Sequence, residues 1–130
     1  MPNMKAIAIV LLTWPMGAHA CAIVDVLDAF PAAQPPDATC AQYLAPSGAT
    51  GTSCHWRFDL RDPAAERFAA DLWSTIQTCR PGTALGPDTR VNHPDSFDLL
   101  EWHADRALYR VSVKDKGAQR ATFVFLSQQP

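Results

Sequence analysis

An α+β domain is the fold class this sequence predicts. One main helix (about 63–79) packs on an antiparallel sheet of about four strands (about 54–60, 97–103, 108–114 and 121–126), stapled by disulfides. Three observations predict it. Cys54, Trp56, Phe58 and Leu60 alternate with His55, Arg57 and Asp59, the period of a strand with one buried face. Ala65, Phe68, Ala69, Leu72, Trp73 and Ile76 then recur at helical spacing, the stripe of a helix lying on a core. Strand-like runs joined by short turns come after the helix, which argues for an antiparallel meander over a parallel α/β sheet.

Residues 1–20 carry the three parts of a secretory leader. Lys5 is the positive start, Ala6 to Trp14 is apolar apart from Thr13, and Ala18-His19-Ala20 places small residues where a signal peptidase reads,. The apolar run is too short for a membrane-spanning helix, which takes about 20 residues. Cleavage after Ala20 leaves 21–130 as a single small exported domain, and the loss of Lys5 takes the formal net charge from −2 to −3. A weakly acidic chain without basic clusters is poor material for holding a phosphate backbone, so no nucleic-acid partner is expected.

Ile23, Val26, Leu27 and Phe30 share one helical face, and Pro31 stops that pattern,. From Pro31 to Ser53 the Ala-, Pro-, Gly- and Ser-rich composition is loop chemistry, with one turn of helix expected at Ala41 to Leu44,. Asp62-Pro63 reads as an N-cap followed by proline at the first helical position. Arg80-Pro81-Gly82 ends the helix, and residues 80–95 read as a second loop. Adjacent Leu99 and Leu100 interrupt the next strand, and a β-bulge would turn Phe97, Leu100 and Trp102 inward together. Asp115-Lys116-Gly117 reads as a three-residue hairpin turn. An odd loop pairs odd residues with odd ones. Tyr109, Val111 and Val113 then share the core face with Ala121, Phe123 and Phe125, and Arg110, Ser112 and Lys114 share the wet face with Arg120 and Thr122.

Four cysteines remain after the leader: Cys21, Cys40, Cys54 and Cys79. An even number in an exported chain reads as a disulfide framework. Six strand residues rise roughly 20 Å and sixteen helical ones about 24 Å. A strand–helix hairpin therefore returns Cys79 close to Cys54, which predicts Cys54–Cys79 and leaves Cys21 with Cys40.

Candidate chemistry is sparse. Asn92, His93, Asp95 and Ser96, followed by Asp98, gather a hydroxyl, an imidazole and carboxylates in one loop. These are also the residues that a loop entering a strand uses for side-chain to backbone bonds. No nucleophile elbow accompanies them. His55, His93 and His103 match no metal-ligand spacing, so neither metal nor cofactor is expected. Trp56, Trp73 and Trp102 fall on buried faces. Arg110, Lys114, Lys116 and Arg120, with Arg106 beside them, form a local basic patch in an acidic chain, a surface suited to an acidic protein, an anionic polysaccharide or lipid headgroups,.

The chain thus reads as a small exported (periplasmic or secreted) non-enzymatic binding or accessory protein, such as an inhibitor, adaptor or envelope-assembly subunit. Its expected partner is an unidentified protein or an anionic envelope component, and no transmembrane helix remains after processing. Two alternatives stand beside it: a small periplasmic hydrolase using residues 92–98, and a membrane-tethered lipoprotein acylated on Cys21.

Overall fold

The computed structural model of the protein describes residues 21–85 and 97–130. The leader therefore lies outside the described residues. In chain order the elements are α1 (Ala22–Ala29), β1 (Thr39–Leu44), β2 (Thr50–Asp59), α2 (Pro63–Cys79), β3 (Gly82–Leu85), β4 (Phe97–Ala104), β5 (Leu108–Lys116) and β6 (Ala121–Gln129). The expected α+β architecture holds, with more elements than expected. Among the described residues two helices cover one face of a six-stranded antiparallel sheet in the order β1-β2-β6-β5-β4-β3.

The main helix starts as its sequence dictates. The Asp62 side chain accepts from the Ala64 N–H at 2.9 Å, and Pro63 occupies the first turn, where its missing N–H costs nothing. The helix crosses the sheet diagonally. Near its start, Phe68 meets Trp56 and Phe58 of β2. Further along, Trp73 stands edge-on to Trp102 of β4 with ring centroids 5.9 Å apart. Ala65, Ala69, Leu72 and Ile76 face down onto Val111, Val124 and Leu126, and α1 adds Val24 and Leu27 to the same core. The three tryptophans thus serve the core. Trp56 and Trp102 also satisfy their indole N–H groups on the carbonyls of Pro36 and Arg80, as buried indoles usually do.

The diagonal course of α2 overturns the expected disulfides. It carries Cys79 away from β2 toward β4, where it bonds to Cys21. Cys54 sits in mid-strand rather than at a strand's start. The segment read as a loop with one helical turn is instead β1, which places Cys40 directly opposite Cys54 with Cα atoms 4.1 Å apart. The pairs are therefore Cys21–Cys79 and Cys40–Cys54. Lipidation of Cys21 would need the sulfur that Cys79 holds.

Three further expectations change. Residues 82–85, read as loop, form edge strand β3 against β4. Gly82 is needed there because a Cβ would strike the His103 backbone. No bulge interrupts β4: its register runs unbroken from Phe97↔Lys114 to His103↔Leu108, so Leu99 lies opposite Ser112 and Leu100 opposite Val111. Leu60 falls just past β2 and is 39% exposed.

The last hairpin is also out of its expected register. β5 continues through Lys116, and the connection is a 3-10 turn over Gly117–Gln119 closed by Arg120 at φ +50°. Four loop residues replace three, so odd residues pair with even ones: Val111↔Leu126, Val113↔Val124, Lys114↔Phe123. A one-residue change of register moves every side chain to the other face. Tyr109, Val111 and Val113 stay inward as expected. Ala121, Phe123 and Phe125 do not, and Thr122, Val124 and Leu126 take their place beneath the helices.

Candidate functional site

The register change converts a wet face into an aromatic and cationic one. On the side of the sheet away from the helices, β2 presents His55 and Arg57, β6 presents Phe123 and Phe125, and β5 presents Arg110, Ser112, Lys114 and Lys116. The His55 ring lies 5.6 Å from both Phe123 and Phe125. The Lys116 ammonium stands 5.4 Å from the Phe123 ring centroid and 5.9 Å from that of Phe125. Arg57 covers Phe123 from the other side at 5.9 Å, while its guanidinium donates to the Gln119 carbonyl at 3.2 Å. Such distances are in cation–π range. They explain how Phe123 is only 8% exposed on a face that no helix covers among the described residues.

A shallow groove of about 490 Å³ runs beside these rings, lined by Lys114, Lys116, Arg110, Glu101, Leu99 and Phe125 among others. Its cations are not equivalent. Arg110 donates to Glu101 at 3.1 Å, and His103 lies 4.0 Å from the same carboxylate. Lys114 and Lys116 have no carboxylate within ion-pair distance among the described residues. Of the four basic residues singled out by sequence, Arg110, Lys114 and Lys116 converge on this groove. Arg120 is held apart, exposed at the end of the hairpin turn. The odd-with-odd pairing predicted from the sequence sets Phe123 and Phe125 in the core and assigns Arg57 no role. The length of the β5–β6 loop is the signal that would have corrected this.

A second polar cluster lies at the margin of the helical layer, where the exposed Asp25 and Asp28 of α1 meet Arg80 and the buried Tyr109. Tyr109, 1% exposed, donates its hydroxyl to Asp28 at 2.8 Å. Arg80 donates to Asp28 at 3.0 Å, to Asp25 at 2.6 Å and to the Cys79 carbonyl at 3.0 Å. Burial, reinforced by the Asp28 hydrogen bond, pushes the Tyr109 phenol up to about 12. The bond to Asp25 dominates in holding the Arg80 guanidinium even more firmly protonated than usual. A cavity of about 700 Å³ opens beside the cluster, bounded by Pro81, Ala104, Ala107 and Gln128. The network ties α1 to the C-terminal end of α2 and to β5, next to the Cys21–Cys79 bridge, and its hydrogen bonds are internal.

The polar loop Asn92, His93, Asp95 and Ser96 lies outside the described residues. His55 and His103 sit on the open face as expected. Among the described residues no group of three metal-ligating side chains comes together, and no helix is long and apolar enough to cross a membrane.

No family model matches the chain, and no curated protein matches it. Among solved structures, the crystal structure of CalU16 from Micromonospora echinospora is similar at 16% identity and a TM-score of 0.34, over 72% of this chain and 67% of that one. Similarity at that level transfers neither fold nor function.

Proposed function

We propose that this protein is a small exported, non-enzymatic binding or accessory protein whose open sheet face engages an anionic partner. The observation that carries the reading is the convergence of Lys114, Lys116 and Arg57 around the Phe123 and Phe125 rings, in a chain whose formal net charge is −2. Cations over aromatic rings beside an open groove offer an acidic surface both charge and apolar contact. Two disulfides in so small a chain fit an oxidising compartment,. The leader at residues 1–20 supplies the route, and the mature chain begins at Cys21.

The test uses the oxidised protein and an immobilised polyglutamate probe. Retention is expected at low salt and is lost as screening grows. The double variant Lys114→Glu, Lys116→Glu abolishes it while leaving circular dichroism unchanged. Salt-independent retention, or retention by the reversed-charge variant, sinks the reading.

A further inference from the structure

The sheet has two edges, and they are built differently. β3 is a four-residue edge. β1 is six residues long, Thr-Cys-Ala-Gln-Tyr-Leu, with no charge, no proline and no bulge. Edge strands normally carry one of those features, because unpaired N–H and C=O groups invite another strand. β1 is instead bonded covalently to its neighbour through Cys40–Cys54, which holds the pair in register. Its last residue, Leu44, is 76% exposed, the most exposed of the large hydrophobic side chains described.

The pairing to β2 decides which backbone groups are free. Directly opposed antiparallel residues alternate between hydrogen-bonded pairs, about 5.5 Å apart at Cα, and non-bonded pairs, about 4.5 Å apart. Cys40 and Cys54, at 4.1 Å, are a non-bonded pair. Thr39, Ala41 and Tyr43 therefore carry the ladder to β2. The N–H and C=O groups of Cys40, Gln42 and Leu44 point to the free edge, where β1 has no further strand neighbour among the described residues.

We infer that this edge pairs with the same edge of a second copy, antiparallel about Gln42, to form a continuous twelve-stranded sheet across a twofold axis. The strand is self-complementary in this register. Gln42 meets Gln42 of the other copy, and Cys40 meets Leu44, so every outward-pointing residue opposes another and the backbone bonds can all form. Ala41 then lies beside the other copy's Tyr43. No like charges meet, because the strand has none. Leu44 loses its exposure against the other copy's Cys40–Cys54 bridge. The parity also sets both helical layers on one side and both open faces on the other. The inference does not depend on what those faces bind.

Sedimentation equilibrium of the oxidised protein tests it, with Gln42→Pro as the variant. Proline at 42 removes an N–H that points away from β2, so the fold and both disulfides survive, as proline is tolerated on an edge. In the dimer the substitution strips a donor from each copy at the centre of the new ladder. The dimer dissociation constant is expected to rise on the order of 100-fold, about what two unsatisfied buried carbonyls cost. Normal circular dichroism and a non-reduced peptide map confirm that the variant is folded. A wild-type chain that stays monomeric overturns the inference and leaves the edge to an extended segment of another protein. A dimer that Gln42→Pro leaves as tight as before overturns it as well.

Discussion

The two faces of the sheet each hold something foreign to their surroundings, and each accommodates it differently. At the margin of the helical layer, buried Tyr109 brings a phenol beside the core, and the partly exposed Asp28 and Arg80 place charges at its hydroxyl. They are tolerated because the cluster closes on itself: Tyr109 donates to Asp28, Arg80 donates to both aspartates, and no buried side-chain N or O among the described residues lacks a partner. Buried polar groups cost little when every bond is made and much when one is lost. On the open face the foreign elements are the Phe123 and Phe125 rings. Lys116 and Arg57 hold their charged groups within 5.4–5.9 Å of the ring centroids, an arrangement open to long cationic side chains. One face hides polarity by saturating it. The other hides apolar surface under charge, and that charge remains available to a partner.

The sharpest way to break this contrast is to remove volume from each side. Ile76 is fully buried in the core, and Ile76→Ala is expected to cost about 3–4 kcal/mol, the transfer loss plus a cavity. Phe125, half-buried on the open face, should cost about 1 kcal/mol when changed to Ala, since its neighbours can close over the gap and water already reaches it. Urea unfolding of both variants measures the difference. Equal costs would mean that the open face is a second core and not a surface kept for binding.

The polar cluster gives the next largest effect, and it carries a pH signature. Asp28→Ala takes the charged acceptor from the Tyr109 hydroxyl at the mouth of the cavity and should cost about 1.5–2 kcal/mol,. Tyr109→Phe removes donor and hydroxyl together and should cost about 1 kcal/mol near neutral pH. The phenol titrates at 10.0 when unperturbed and at about 12 in the fold. The folded state therefore holds this proton more tightly than the unfolded chain. The stability it confers is complete below pH 10 and drains away as the pH rises toward 12. Guanidinium unfolding at pH 8 and pH 11 should show that loss in the wild type and a smaller one in Tyr109→Phe. An identical loss in both proteins would assign the alkaline sensitivity to another group.

What the sequence discloses follows the same division. The covered face was legible wherever one chain segment carries the whole signal. The Asp62-Pro63 start, the stripe from Ala65 to Ile76 and the alternation of Tyr109, Val111 and Val113 each predicted an element that the structure contains. β1 was not legible because Thr39–Leu44 lies at an edge, buries no clean face and owes its form to pairing with β2. β3 is exposed at all four positions and offers no apolar period. The disulfides depended on where α2 points, a tertiary property. On the open face the basic residues were visible and their aromatic companions were not. Phe123 and Phe125 are as apolar as Val124 and Leu126, and only the length of the turn from Gly117 to Arg120 decides which pair faces the helices.

The smallest expected effect separates stability from binding on the open face. Lys116→Met keeps an unbranched stem over Phe123 and removes only the ammonium. Loss of an exposed cation–π contact should change stability by about 0.5–1 kcal/mol at most. Polyglutamate affinity, measured by titration at low salt, should nevertheless fall several-fold, because one of the two groove lysines without a carboxylate neighbour among the described residues is gone,. Lys116→Arg restores the charge and should restore the affinity. If Lys116→Met instead destabilises the fold as strongly as Asp28→Ala, the ammonium serves the sheet and not a partner. The open face would then be closed by its own cations in the way that the covered face is closed by its helices.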